Sequence, residues 1–249
     1  MKAMVLAAGL GTRLRPLTHD RPKALVEVGG RSLLEITLTR LRDFGINDVI
    51  INVHHYADMV VEYVRAAGNF GMHIEFSRED ILLDTGGGLK KAAWFLGGDS
   101  SANQDEPFIL HNVDVISSID LHRMFQQHKE SAALATLAVQ QRPTSRYLLF
   151  DEHAQLCGRR FVKQEKTEIA LPAQQRFELA FTGIHVISPR IFPLLTEDGV
   201  FSIVPAYLRL AAEGEKIAAF RADEYYWRDL GKPDNIRQVE QDIRANLVR

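Results

Sequence analysis

KAMVLAAGLGTRLRPLT, residues 2–18, changes character halfway along, and that change decides the fold. Residues 2–8 form a short, mostly apolar run that stops at Gly9. Such a run reads as a strand buried on both faces, the kind a parallel sheet uses. Residues 9–18 are rich in Gly, Thr, Arg and Pro and read as a loop. Glycines let a backbone pass close to a ligand and aim several N–H groups at phosphate oxygens. Arg13 adds a forked donor suited to phosphate. Lys23 lies ten residues beyond Arg13, after Pro22, where it can fold back as a second positive charge on the same phosphates.

Outward from this strand and loop, strand and helix patterns alternate. Ser32 and Glu35 have capping-box spacing, and Leu34, Leu38 and Leu41 recur on one face, so residues 32–44 read as a helix stopped by Gly45. Residues 49–53 read as a strand, 56–67 as a helix ending at Gly68, and 73–76 as a short strand. Residues 87–96 read as a helix closed by Gly97 and Gly98, and 108–110 as a strand leading into 111–115. This alternation predicts parallel βαβ units with right-handed crossovers. Ligands collect at the carboxyl ends of such strands. The Gly9 loop, residues 84–88 and Asp114 each follow a strand run and are expected to converge on one crevice. The second half is less regular. Residues 132–139, 147–150 and 177–187 are strand-like, 205–213 and 233–247 helical, and 99–106 a polar surface loop. No internal repeat is present, so one domain over 1–249 is expected.

Composition excludes several classes. A chain of 249 residues can bury a substantial core. Lys plus Arg number 30 against 32 Asp plus Glu, a formal net charge of −2 without a basic stripe, which argues against a nucleic-acid partner. Cys157 is the only cysteine, which rules out an intrachain disulfide and fits a reducing compartment. The N-terminal apolar run meets glycines and an arginine too early for a signal peptide. No window approaches the roughly 18 apolar residues of a membrane span. A cytoplasmic protein with no membrane partner is the expectation.

Two common nucleotide motifs fail on the opening loop. GxxxxGK[ST] is absent, and GxGxxG is incomplete because Leu14 stands at its third glycine. The acidic residue expected after the second strand is also missing, since His54 and His55 follow Val53. The stretch LAAGLGTRLRPLTHDRPKALVEVGG instead resembles the opening signature of the sugar-1-phosphate nucleotidyltransferases, the NDP-sugar pyrophosphorylases. Their pattern L-A-A-G-x-G-T-R-L-x-P-L-T-x-x-x-P-K-x-L is matched at every defined position from Leu6 to Leu25. The resemblance implies an α/β fold: a Rossmann-like three-layer sandwich with a mainly parallel central sheet. It would carry a nucleotide-binding lobe at about 1–115 and a sugar-binding lobe at about 116–249. It also implies roles: backbone from Leu6, Ala7, Ala8, Gly9, Gly11 and Thr12 holds the nucleotide, Arg13 contacts the triphosphate, and Lys23 neutralises the reacting phosphates. Arg15 lies in the motif with binding and structural roles both open.

Asp84-Thr85-Gly86-Gly87-Gly88 places three glycines before a helix. Chemistry alone leaves two readings open: a flexible turn with Asp84 or Thr85 as N-cap, or close backbone approach to a flat ligand. Within the family, Thr85, Gly86 and Gly87 correspond to the segment that meets the nucleobase. The form D/E-T-G-G-G resembles the branch of N-acetylmuramate-1-phosphate uridylyltransferases and mannose- and heptose-phosphate guanylyltransferases.

Asp114, in Asn112-Val113-Asp114, resembles the family's N-G-D metal motif. Asp229, in Trp227-Arg228-Asp229-Leu230-Gly231-Lys232-Pro233, resembles its W-x-D-x-G-T-P motif. Val113 and Lys232 depart from those motifs but spare the carboxylates. Mg²⁺ is often held by one or two carboxylates plus substrate phosphates and water, and the resemblance assigns it to Asp114 and Asp229. On the sugar side, Phe181-Thr182-Gly183-Ile184-His185 resembles N-A-G-I-Y, making Thr182 and Gly183, with Asn112, candidate sugar contacts. The family's E-K-P is replaced by Val162-Lys163-Gln164-Glu165-Lys166. Lys163 or Lys166 then serves the sugar phosphate, or both decorate a solvated strand edge. His54 and His55 read as loop residues, Cys157 as packing, and Tyr225, Tyr226 and Trp227 as packing that positions Asp229.

The expected partners are a nucleoside triphosphate and a sugar 1-phosphate, with the protein a monomer or a homodimer. UTP with N-acetylmuramate 1-phosphate, or GTP with mannose or heptose 1-phosphate, fits the motif branch. Two rivals stay open: a glycosyltransferase using an NDP-sugar, of whose Asp-x-Asp site Asn112-x-Asp114 is half, and a non-catalytic nucleotide-sugar sensor.

Overall fold

The computed structural model describes residues 1–97 and 106–247. The polar stretch 99–105, and Gly98, lie outside the described residues. Strand β1 (Lys2–Leu6) ends where the sequence turns glycine-rich. The loop beyond it carries a 3₁₀ turn at Thr12–Leu14 and a second at Lys23–Leu25. A two-residue ladder, β2 (Glu27–Val28) with β3 (Arg31–Ser32), leads into α1 (Leu33–Asp43). The N-cap of α1 is Ser32, whose Oγ accepts from Glu35 N at 3.0 Å. Only that half of the capping box forms, because the Glu35 carboxylate is taken by Arg31 and Tyr63.

Then follow β4 (Asp48–Val53), α2 (Ala57–Ala66), β5 (His73–Arg78), α3 (Asp84–Lys91), α4 (Ala93–Leu96) and β6 (Phe108–Asn112). The second half comprises β7 (Val115–Ser117), α5 (Leu121–Ser131), β8 (Ala135–Gln140), β9 (Arg146–Phe150), β10 (Leu156–Phe161), β11 (Lys166–Ile169), β12 (Phe177–Ile187), α6 (Ile203–Ala212), β13 (Ile217–Arg221), β14 (Trp227–Asp229) and α7 (Pro233–Arg244).

Among the described residues ten strands form one sheet, ordered β11-β10-β9-β12-β6-β1-β4-β5, with β8 beside β12 and β13 beside β8. Strands β6, β1, β4 and β5 run parallel, as the alternation predicts. From β12 outward the pairing is antiparallel, apart from β13 on β8. Side chains of β1 alternate with the pleat: Ala3 and Val5 enter one core with α1 and α2, and Met4 enters another with α3 and α6. Helices therefore cover both faces, which makes three layers.

Two readings need correction. The helix expected over 87–96 is two helices, and the first begins at Asp84, so all three glycines lie inside it. Its N-cap is Leu83, without a side-chain cap. The main chain of Phe201 caps it instead: its carbonyl accepts from Gly86 N at 2.9 Å and Gly87 N at 3.2 Å. The glycines are a packing requirement. A Cβ on Gly86 would overlap the Phe201 ring, one on Gly87 the Gly199 carbonyl, and one on Gly88 would stand 2.8 Å from Glu79 Oε1.

Candidate active site

Strand register assembles the first cavity. In the parallel ladders Leu6 pairs with Asn52 on one side and Asn112 on the other, so three carboxyl ends stand abreast. They line a cavity of about 450 Å³ together with Ala8, Gly9, Leu82, Asp84, Thr85 and Val200. Asn52 is buried beneath it. Its Oδ1 accepts from Ala7 N at 2.7 Å, and its Nδ2 donates to Glu79 Oε1 at 2.7 Å. The buried Glu79 also accepts from Leu83 N at 3.0 Å through Oε2. One polar chain thus ties the Gly-rich loop to the start of α3. It leaves neither buried side chain unsatisfied, which in a low-dielectric interior matters more than the strength of any one bond. Thr85 Oγ1 accepts from Ile203 N at 3.0 Å, fixing the opposite wall to α6.

The Gly-rich loop is folded onto itself. Gly11 has φ +65°, a region open to glycine at little cost. Its carbonyl accepts from Thr18 Oγ1 at 2.9 Å, and Lys23 packs against it. Leu14 is fully buried and anchors the loop, while Thr12 and Arg13 remain exposed.

A second cavity of about 780 Å³ is lined by Arg13, Asn112, Arg142, Thr182, Gly183, Trp227 and Asp229, with Arg146, Lys232 and Asn235 also on its wall. Asn112 borders both cavities, which places them side by side. Gly183 is required at that junction: its φ is +82°, and a Cβ there would come 2.6 Å from Asn112 Nδ2. Thr182 donates its hydroxyl to Ala138 O at 2.8 Å, so what it offers the cavity is main chain.

The two aspartates meet through a ribbon. Strand β14 pairs antiparallel with β7, with Asp229 opposite Val115, and Leu230 N donates to Asp114 O at 2.8 Å. Arg40 braces β7 from behind, donating to the carbonyls of Ser117 and Ile119, and its burial lowers its pKa to about 10. The Asp114 carboxylate is ion-paired with Lys23. Asp229 Oδ1 accepts from Gly231 N, and its carbonyl accepts from Asn235 Nδ2 at 2.6 Å. Gly231 is the floor between Asp229 and Arg13: a Cβ there would lie 2.6 Å from Asp229 Oδ1 and 2.9 Å from Arg13 Nη2.

Most of the expected site residues are therefore gathered at the carboxyl end of the parallel strands. Lys163 and Lys166 are not. They stand on the exposed β10–β11 hairpin, outside both cavities, and Lys166 is paired with Glu168 at 2.7 Å. Arg15 lines neither cavity. Asn52, Arg142, Arg146 and Asn235 escaped the sequence reading. Asn52 and Arg142 gain their places from partners distant in sequence, Asn235 from Asp229 six residues before it, and none carries a local motif.

A family model for nucleotidyl transferases matches residues 2–246. The chain belongs to the nucleotidyl transferase family. Among relatives in that family, an N-acetylmuramate alpha-1-phosphate uridylyltransferase of Caulobacter vibrioides is 36% identical over 93% of this chain and 92% of its own length. A mannose-1-phosphate guanyltransferase of Debaryomyces hansenii is 30% identical over 94% of this chain, which spans 62% of that longer enzyme. Among solved structures, HddC from Yersinia pseudotuberculosis complexed with GMP-PN superposes with a TM-score of 0.73, covering 97% of this chain and 99% of that one at 21% identity, and so shares its fold.

Proposed function

We propose that this protein transfers a nucleoside monophosphate from a nucleoside triphosphate to a sugar 1-phosphate, releasing pyrophosphate. The observation that carries the reading is the pair of cavities meeting at Asn112, with Arg13 and Asp229 in the larger one. The smaller takes the nucleoside, the larger the acceptor, and the reacting phosphates lie at the junction. The motif branch and the named relatives favour UTP with N-acetylmuramate 1-phosphate, or GTP with mannose or heptose 1-phosphate.

The chain's residues supply position and charge, which are what phosphoryl-group transfer chiefly needs. An oxygen of the acceptor phosphate attacks the α-phosphorus while the bond to pyrophosphate breaks in line. No side-chain nucleophile is required, because the acceptor is already anionic. Arg13, exposed at the cavity wall, offsets charge growing on the leaving pyrophosphate. Lys23 lies against Asp114 and neutralises phosphate from below. The Gly-rich loop, held by Asn52 and Thr18, keeps the triphosphate aligned.

Asp114 and Asp229 suit Mg²⁺. They are hard oxygen donors on one hydrogen-bonded ribbon, and no cluster of three or more His, Cys, Asp or Glu stands among the described residues. An ion held by two carboxylates, completed by substrate phosphates and water, matches the habit of Mg²⁺. When bound, it would polarise the phosphate oxygens and offset their charge.

The test is pyrophosphate release across a grid of four nucleoside triphosphates and a panel of sugar 1-phosphates: N-acetylmuramate, mannose, glucose, N-acetylglucosamine and heptose. Release in one cell of the grid, abolished by Asp114→Ala, is expected. Transfer of sugar from a nucleotide sugar without pyrophosphate chemistry, or tight nucleotide-sugar binding without turnover, would overturn the proposal.

A further inference from the structure

An acceptor phosphate brings about two negative charges into the larger cavity, and it needs a cation of its own. Arg13 also lines that cavity but is assigned above to the leaving pyrophosphate, and Lys23, ion-paired with Asp114, lines neither cavity. The two hairpin lysines do not reach the cavity wall. Arg142, in the turn between β8 and β9, does. Its guanidinium lies over the Trp227 ring, 3.7 Å from the centroid. Its Nη2 donates to Phe181 O at 2.9 Å, and its Nε is buried without a partner among the described residues.

We propose that Arg142 is the cation that binds the phosphate of the sugar 1-phosphate, a role that rests on the transfer reaction proposed above. Three features single it out. Trp227 stands two residues before Asp229 on β14, and Trp227 Nε1 donates to Thr182 O at 2.8 Å. The ring that Arg142 stacks on is therefore fixed relative to the proposed metal carboxylate, and so is the guanidinium. A planar fork held this way meets phosphate with two parallel donors at little further entropic cost. The remaining cations on the wall, Arg146 and Lys232, are exposed side chains that an acceptor would have to immobilise.

Burial lowers the Arg142 pKa and the Asp229 charge opposes that shift. An arginine so placed is still charged at neutral pH, but its guanidinium has given up part of its hydration and gains more from an anion that replaces it.

The experiment compares wild type with R142M, which keeps an apolar stem over Trp227, and with R142K. Pyrophosphate release is followed against sugar 1-phosphate and against nucleoside triphosphate separately. R142M is expected to raise the acceptor KM about 10- to 100-fold, the weight of a lost charge-assisted fork, while the triphosphate KM stays within about twofold. R142K should recover part of the loss, and added guanidinium ion should partly rescue R142A by lowering the acceptor KM and not the triphosphate KM, a selectivity a merely structural arginine would not give. Equal rises in both KM values would overturn the proposal. So would an acceptor KM unchanged in R142M but raised when Lys163 and Lys166 are both replaced. A wild type that turns over while R142M binds acceptor normally refutes this role alone. A wild type silent across every substrate pair removes the reaction and this role together.

Discussion

Leu230 donates its main-chain N–H to the main-chain carbonyl of Asp114 at 2.8 Å, and this bond holds the backbones of Asp114 and Asp229, 115 residues apart in sequence, side by side. The ribbon of β7 and β14 is only three residues long on each side, yet it makes Asp114 and Asp229 neighbours. If the pair holds Mg²⁺, each carboxylate is needed for the ion's several kcal/mol of charge stabilisation. Asp114→Asn and Asp229→Asn are each expected to slow pyrophosphate release by at least about 100-fold, since about 1.4 kcal/mol is a factor of ten. Both should raise the Mg²⁺ concentration giving half-maximal rate. A Mg²⁺ dependence unchanged in both variants would remove the metal from these residues.

Arg13 and Arg15 flank the buried Leu14, but only Arg13 reaches the larger cavity. Both side chains are exposed, so replacing either leaves the core intact. Arg13→Ala is expected to lower kcat by about 100- to 1,000-fold, the usual weight of a preorganised donor at developing charge. Arg15→Ala should stay within a few-fold of wild type, with the two melting temperatures alike. Near-normal turnover in Arg13→Ala would sink the assignment of the loop.

Helix α3 carries its glycines because other chain segments occupy the space, and this sets the sign of two substitutions. Helix propensity alone makes Gly→Ala worth about 1 kcal/mol of added stability. At Gly86 the new methyl would meet the Phe201 ring, and at Gly87 the Gly199 carbonyl. Overpacking of this kind costs about 1–3 kcal/mol. Both variants should melt below wild type, and Gly87→Ala lower still, because a backbone carbonyl yields less than a ring. Phe201→Leu should relieve Gly86→Ala and leave Gly87→Ala unrelieved. Higher melting temperatures in the single variants would refute the packing account.

How far the sequence carries can be judged from these residues. The parallel half was legible: the 2–8 run, the Ser32 cap, Gly45 and the 49–53 run report local preferences that tertiary structure did not override. The glycine triplet misled because its low helix propensity is real, and only Phe201 and Gly199, more than 100 residues away, explain why the helix tolerates it. The convergence of Asp114 and Asp229 entered through family resemblance, since a three-residue ribbon has too little pattern to announce itself. Arg142 carried no signal: its position depends on Trp227, and no spacing within 139–147 encodes that ring. The lysines of 162–166 drew attention by residue type, while the hairpin that bears them turns away from the cavity.

The last prediction concerns acid. His111 and His185 face each other's strands in the core, fully buried, with pKa values lowered to about 4 and about 3 chiefly by burial. His128, also buried, is lowered to about 4 for the same reason. Protonation would be costly: His111 Nε2 has no partner among the described residues to accept its proton, and His185 Nδ1 already shares a 2.9 Å hydrogen bond with the Tyr207 hydroxyl. In the unfolded chain these imidazoles titrate near 6.5. Their folded values are depressed, so the native state has its full advantage above about pH 6.5. As pH falls from there toward 4 and 3, the unfolded state binds the extra protons and stability is lost. Glu168, Glu197 and Asp223, held below their ordinary values mainly by arginine and lysine partners, add to the loss only at lower pH. Urea unfolding between pH 7 and 5 should therefore isolate the histidines, with a decrease of about 1–2 kcal/mol for each. His128→Gln should flatten the slope by about a third while leaving turnover at pH 7.5 intact. A midpoint constant between pH 7 and 5 would mean that these histidines do not stay neutral in the fold.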